Sequence, residues 1–378
     1  MLGHRMAKVI DKPFIISLFA LMLFGVIVLV SASSTIASDP LFYVKKQLMW
    51  IAIGIGLVVF ILNIDYQQGT RNSRILYIAT IAILLAVLFF GKEVRGSQGW
   101  IVIAGQQLQP AEFAKIMVVL CFADFLSQRQ GMLNTLGEIL PCFLYIGLPF
   151  LLVLAQPDLG TSLAFLAITF GMMFVAGANP KILLWIIFGG LAFALLVFFL
   201  HQQFGMWLPL EDYQIKRLTV FLDPYNDGLG GRGAGWNTIQ SLVAIGSGGL
   251  FGKGLFQGSQ AQLNFLPEHH TDFIFAVLGE EMGFIGAALL LLLYAILIAR
   301  AIVIASGAKD FFSTLVVVGL ISMWLFHIFE NIGMSIGLMP ITGVPLPFVS
   351  YGGSFMLANM IGIGLLLDIN LKGRRIVF

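Results

Sequence analysis

The chain has 378 residues, 59% of them hydrophobic and only 11% charged, with a mean hydropathy of +0.96 and a formal net charge of +2. A water-soluble protein carries about a quarter charged residues, so the composition excludes that class and marks a polytopic membrane protein. The basic residues are spread along the chain rather than gathered into a patch, which excludes nucleic acid as a partner. The two cysteines, Cys121 and Cys142, lie in apolar stretches without metal-ligand spacing.

A membrane-crossing helix needs roughly 20 mainly apolar residues. Windows of that size predict ten spans, near residues 13–32, 44–63, 74–90, 111–127, 138–155, 159–177, 181–200, 272–299, 311–337 and 349–370. The first follows Arg5, Lys8 and Lys12 and ends in SASSTIAS, which imitates a signal-peptide cleavage region. Its length and the spans behind it predict a retained helix. The fourth is interrupted by Glu112, Lys115 and Asp124.

Ten spans put both termini on one side. That side carries Arg5, Lys8, Lys12, Arg71, Arg74, Arg129, Lys181, Arg300, Lys309, Lys372, Arg374 and Arg375, while the opposite short loops hold Lys45, Lys46, Lys92 and Arg95. The positive-inside rule therefore predicts cytoplasmic termini. The expected fold is an all-α integral membrane protein, a single polytopic domain over residues 1–378.

Within it, residues 201–271 form a long extracytoplasmic loop. Eleven glycines fall between Gly228 and Gly258, around WNTIQSLVAIGSGGLFGKG. The apolar content argues against disorder, and predicts short amphipathic or re-entrant helices packed over a cavity.

Polar residues gather where this loop enters the eighth span, in FLPEHHTDFIFAVLGEEMGFIGA. Thr271 has the character of a helix N-cap, and Asp272 suits the positive end of a helix dipole. Alternatively, Asp272 is a general base in an outward cavity, with Glu268 and His270 beside it. A divalent-cation site from Glu268, His269, His270 and Asp272 is a third possibility. Glu280 and Glu281, deeper in the span beside the small residues Ala276, Gly279 and Gly283, read as structural or gating groups.

Further polar breaks point the same way. In QPAEFAK, Pro110 opens the fourth span, and Glu112 and Lys115 can pair on one face or hold Asp272 in place. Gln156-Pro157-Asp158 breaks the chain between spans five and six. PITGVPLPFVSYGGS, with three prolines, three glycines and Ser350, cannot run as a regular helix and must be buried or line a cavity. Arg95, Lys216, Arg217, Arg232 and Lys253 lie on the loop side and together suit an anionic lipid head group.

QPAEFAK, AQPDLGTS, FLDPYNDGLG, IQSLVAIGSGGLFGKGL, LPEHHTDFIFAVLGEEMGFIG and GVPLPFVSYGGS, in this order, resemble the SEDS family (shape, elongation, division and sporulation) of bacterial cell-wall polymerases. The GSGGLFGKGL run and the GVPLP form favour its elongation branch over its division branch. Two departures stand out. Gly99 occupies a position where many relatives carry arginine before the retained Trp100, and GGRGAGW looks longer than in close relatives.

The resemblance implies a ten-helix glycosyltransferase of the bacterial inner membrane that polymerises lipid II outside the membrane. It implies Asp272 as the essential acid, and Glu112 and Lys115 as the family's paired charges. Supporting positions are Arg217, Lys253, Trp100, Gln156, Asp158, Glu268, His270 and Ser350. A diphosphate leaving group needs charge neutralisation by basic residues or a divalent cation rather than a general acid, so one base can suffice. The implied partners are a class B penicillin-binding protein and other membrane proteins of the elongation complex. A lipid II flippase and a non-catalytic scaffold for a transpeptidase are the competing functions.

Overall fold

The computed structural model describes residues 11–64, 72–94, 97–103, 105–206 and 212–373. Of the basic residues used above, Arg5, Lys8, Arg71, Arg95, Arg374 and Arg375 lie outside the described residues. Each of the ten predicted windows coincides with a helix. They are α1 (Lys12–Ala32), α2 (Phe42–Asn63), α3 (Ser73–Phe90), α4 (Pro110–Ser127), α5 (Leu136–Leu154), α6 (Leu159–Val175), α7 (Pro180–Phe204), α11 (Ile274–Ser306), α12 (Phe311–Ser335) and α13 (Gly353–Gly373). Eight have the length and apolarity to cross a membrane. The other two are α4, which carries the three predicted charges, and α6, which has 17 residues.

Burial separates a core from a rim. α13 and α12 are the most enclosed spans, followed by α1, whereas α7 contributes Leu183 as its one buried residue. α13 packs on α2, α1 on α11, and α12 on α6. Small residues set the closest approaches. Gly25 of α1 faces the Val349 backbone, and Gly54 of α2 faces Met360 of α13.

The long loop contains three short helices, α8 (Asp212–Leu222), α9 (Trp236–Gly248) and α10 (Ser259–Gln262), as its apolar content predicts. α9 lies on the first part of α11, where Ile245 covers Gly279. The glycine-rich stretch before α9 is folded around one carboxylate. Asp227 accepts the backbone N–H of Gly231 (2.8 Å), Leu229 (2.9 Å), Gly233 (2.7 Å) and Gly235 (3.3 Å). These donors, that of Gly231 foremost, hold its pKa down at about 2.

Two features depart from the predicted all-helical layout. Between α3 and α4 the chain forms an antiparallel meander, β1 (Lys92–Val94), β2 (Ser97–Ile103) and β3 (Gln106–Leu108), with Ile101 opposite Leu108 and Ile103 opposite Gln106. Gly105, at φ +76°, makes the turn between β2 and β3.

The second departure is in α11, expected as one continuous span. Gly283 has φ 64° and ψ −161°, and the helix breaks there. A break within an apolar span frees backbone groups that lipid cannot satisfy. Residues 249–254 satisfy them. The carbonyls of Glu280 and Glu281 accept from the N–H of Lys253 and Gly254 (3.0 Å each), and the N–H of Phe284 and Ile285 donate to the carbonyls of Gly249 (2.9 Å) and Leu250 (3.1 Å). A Cβ on Gly283 would sit 2.7 Å from the Leu250 carbonyl.

Two outcomes follow. Gly283→Ala forces a strained backbone and a clash, and is expected to lose more than about 1 kcal/mol of stability, read as a lower melting temperature in detergent. For Asp227, a depressed carboxyl pKa contributes stability at pH above its unfolded value, lost only as pH falls through about 2. Proteolysis of residues 228–235 should therefore be unchanged between pH 7 and pH 5 in the native protein, and faster at both in Asp227→Ala.

Candidate active site

The polar breaks meet at the end of the bundle that carries the sheet and the long loop. There they enclose a cavity of about 370 Å³. Its walls are the sheet with the start of α4, the 157–161 turn, α8, and residues 268–273 against the irregular 340–355 stretch, with Asn237 of α9 and His327 of α12 also on the lining. Asp272 lines it half-buried. Gly343, at φ +74°, lies beside its carboxylate, where a Cβ would come 3.2 Å from Asp272 Oδ2. The site therefore has room for Asp272 because its neighbour has no side chain.

Thr271 does not cap α11. The helix starts at Ile274 after a turn over 269–273, and Phe273 is its N-cap. Thr271 Oγ1 instead donates to the carbonyl of Glu268 (3.2 Å) and to its carboxylate (3.3 Å). Two polar side chains hold this turn in place. Ser350 Oγ donates to the Thr271 carbonyl (2.6 Å) and accepts from Leu346 N–H (2.8 Å). Asn331 Nδ2 donates to the carbonyls of Asp272 and Val344, both at 2.7 Å.

Of the residues singled out in the sequence, Asp272, Glu268, Glu112, Trp100, Asp158 and Arg217 line the cavity. Arg217 also donates to the Ile341 carbonyl (3.3 Å). Asp158 caps α6 through Thr161 N–H (2.9 Å) and accepts from Gln109 Nε2 (2.7 Å). The others stand behind the wall. Lys115 is buried beneath Glu112, 3.0 Å from each carboxylate oxygen, and 2.9 Å from His327 Nε2. Gln156 braces the sheet, accepting from Ser97 Oγ at its carbonyl (2.9 Å) and donating to the Leu84 carbonyl (3.0 Å). His270 packs against Tyr43 and Tyr351, with ring centroids 4.6 and 5.9 Å away. Burial pushes the Tyr351 phenol, at the cavity edge, up to about 12.

Lys253, Glu280 and Glu281 are elsewhere. Lys253 pairs with Glu280 (2.6 Å), which also accepts from Ser259 Oγ and Gln260 N–H, and Glu281 accepts from Ser31 Oγ (2.6 Å). Both acids bind the loop and α1 to the α11 break.

The cation site considered for Glu268, His269, His270 and Asp272 is not assembled. His269 Nδ1 meets the Leu266 carbonyl, and His270 is stacked. Among the described residues no three His, Cys, Asp or Glu side chains are grouped to hold an ion. Gly99, where the family pattern has arginine, is ringed by Ser97 Oγ, Gln156 Oε1 and Gln109 Nε2, between 3.2 and 3.8 Å from a Cβ placed there.

The sequence reading missed His327 and the bridging by Asn331; it placed Glu330 and Asn331 only as polar residues just before the broken 340–353 stretch, and Glu330 accepts from Thr342 Oγ1 (2.7 Å) on the cavity wall. His327, Glu330 and Asn331 sit at i, i+3 and i+4 in LFHIFENIG, one face of α12. That spacing was the available signal.

Residues 12–375 match the FTSW_RODA_SPOVE family model, described as a cell cycle protein. The chain belongs to this family. It is 38% identical over 371 residues to Stage V sporulation protein E of Bacillus subtilis, covering 96% of this chain and 98% of the relative. It is also 38% identical over 362 residues to peptidoglycan glycosyltransferase MrdB of Escherichia coli K12, covering 96% and 93%. A solved chain from a peptidoglycan synthase complex superposes with TM-score 0.79 at 30% identity, covering 97% of this chain and 99% of that one. The crystal structure of RodA from Thermus thermophilus gives TM-score 0.71 at 28% identity, covering 97% and 98%.

In this FtsW/RodA/SpoVE-family chain the Asn331 bridge is the most exposed to test by stability. Asn331→Leu keeps the branched shape but removes the donor to the buried Val344 carbonyl and the part-buried Asp272 carbonyl, at about 1–3 kcal/mol for a buried group left unpaired. The melting temperature should fall by several degrees, as it should in Ser350→Ala, which strands one N–H and one carbonyl at the same turn.

Proposed function

We propose that this family member is a peptidoglycan glycosyltransferase that polymerises lipid II into glycan strands, with Asp272 as the general base. One observation carries the reading: a half-buried carboxylate faces a cavity that Arg217 also lines, held through its own backbone by Asn331 and given space by Gly343. The catalytic names among the relatives, as for MrdB, support the transferase class.

The step balances without a protein acid. A sugar hydroxyl attacks the anomeric carbon of the donor and forms the new C–O bond. Its proton passes to the Asp272 carboxylate, and the diphosphate leaves with the electron pair of the broken C–O bond. Attack opposite the leaving group inverts that carbon. The leaving group gains negative charge beside Arg217, whose guanidinium lines the same cavity. The other lining acids, Glu112, Asp158 and Glu268, suit hydroxyl and amide donors of the sugars and peptide.

The bias of Lys and Arg toward the side opposite the cavity supports cytoplasmic termini and a cavity on the outer face of the inner membrane. The GSGGLFGKGL and GVPLP motifs and the likeness to RodA support a role in elongation. The likeness to a chain of a peptidoglycan synthase complex supports a class B penicillin-binding protein as partner.

The test is polymerisation of lipid II by the purified full chain, with and without that partner. Asp272→Asn should keep expression and lipid II binding and lose about 10²-fold or more in rate, the range typical of a removed general base. Wild-type rates in that variant would dismiss Asp272 as the base. Lipid II transport across vesicles without glycan would instead identify a flippase.

A further inference from the structure

The mechanism leaves unexplained why a lysine is buried behind Glu112. Lys115 is 1% exposed, under the Phe355 ring and enclosed by α12 and α13. An ammonium there needs acceptors for its three N–H groups, because no water replaces them. Glu112 supplies two oxygens, both at 3.0 Å. His327 Nε2 supplies the third acceptor at 2.9 Å.

The geometry also fixes which ring nitrogen carries the hydrogen. Nδ1 lies 2.7 Å from the Met323 carbonyl, one turn earlier on α12. A carbonyl only accepts, so Nδ1 donates, and Nε2 presents its lone pair to Lys115. Phe355 and Phe326 flank the ring at 5.2 and 5.8 Å. Both nitrogens are therefore committed inside the protein although the ring borders the cavity, which suits a fixed acceptor and not a proton carrier.

Four residues later, Asn331 on the same helix holds the Asp272 backbone. One rigid turn of α12 thus grips the Lys115–Glu112 pair with His327 and the Asp272 turn with Asn331. We propose that His327 is a positioning residue for the reaction: by fixing Lys115 it holds the Glu112 carboxylate in register with Asp272 across the cavity. The inference rests on the glycosyltransferase reading for its consequence in rate, but not for the coupling itself.

Two measurements on the purified full chain test it. In lipid II polymerisation, His327→Leu should lower turnover by about tenfold or more, since small misplacements of reacting groups cost up to about 10²-fold, with KM for lipid II within about twofold. His327→Gln keeps an acceptor within reach of Lys115 and should recover much of the lost turnover. A leucine variant with wild-type turnover, or a glutamine variant as slow as leucine at equal melting temperature, overturns the proposal.

The second measurement needs no activity, and so stands even where the wild-type protein makes no glycan and the functional reading fails. Melting temperatures are compared for His327→Leu, Lys115→Met and the double variant. If His327 acts through Lys115, the double melts no lower than Lys115→Met alone. Additive losses would show that the two side chains act separately and would overturn it.

Discussion

The architecture depends on how a broken helix is closed where lipid offers no hydrogen bonds. At Gly283 the path of α11 turns, and four backbone groups lose their helical partners. Gly249, Leu250, Lys253 and Gly254 replace all four. This splice needs glycines on both sides: side chains at Gly248 or Gly252 would run into the backbone of α11. The Glu280 and Glu281 carboxylates add charged and hydroxyl contacts to the same junction. Because the splice fixes residues 274–282, it also fixes the turn just before them, and with it the height of Asp272 in the bundle.

The second constraint is the burial of charge. Placing Glu112 and Lys115 together inside an apolar bundle is costly, and such pairs persist when every lone pair and N–H is matched. Removing one partner of a buried pair typically costs about 3–5 kcal/mol. Here the matching extends over three helices, from Glu112 and Lys115 on α4 to His327 on α12, beneath Phe355 of α13. Polar side chains of α12 thereby organise a cavity whose walls come from segments far apart in the sequence.

Much of this was legible in the sequence because membrane physics leaves few choices. Apolar windows located all ten long helices among the described residues, and the clusters of proline, glycine and acid located the walls of the cavity. What escaped depended on long-range partners. The break at Gly283 carries no local proline; it exists because residues 249–254 fill it, more than 25 positions away. Lys253 looked like a free cation for an anionic head group, yet Glu280 takes it. The small sheet was hidden in a polar stretch too short for span analysis, although Trp100 and Ile101 alternate there between the Asp272 cavity and an apolar groove against α3 and α4. His327 was passed over as one polar residue in an apolar helix, and its meaning appears only with Lys115 beside it.

The rim helix α7 carries one more implication. Its 25 residues extend about 37 Å, longer than the roughly 30 Å hydrocarbon layer. With Leu183 as its one buried residue, it has little protein contact to fix its angle. Such a mismatch is relieved by tilt or by local thickening of the bilayer. The angle of α7 is therefore set by the thickness of the bilayer more than by the protein.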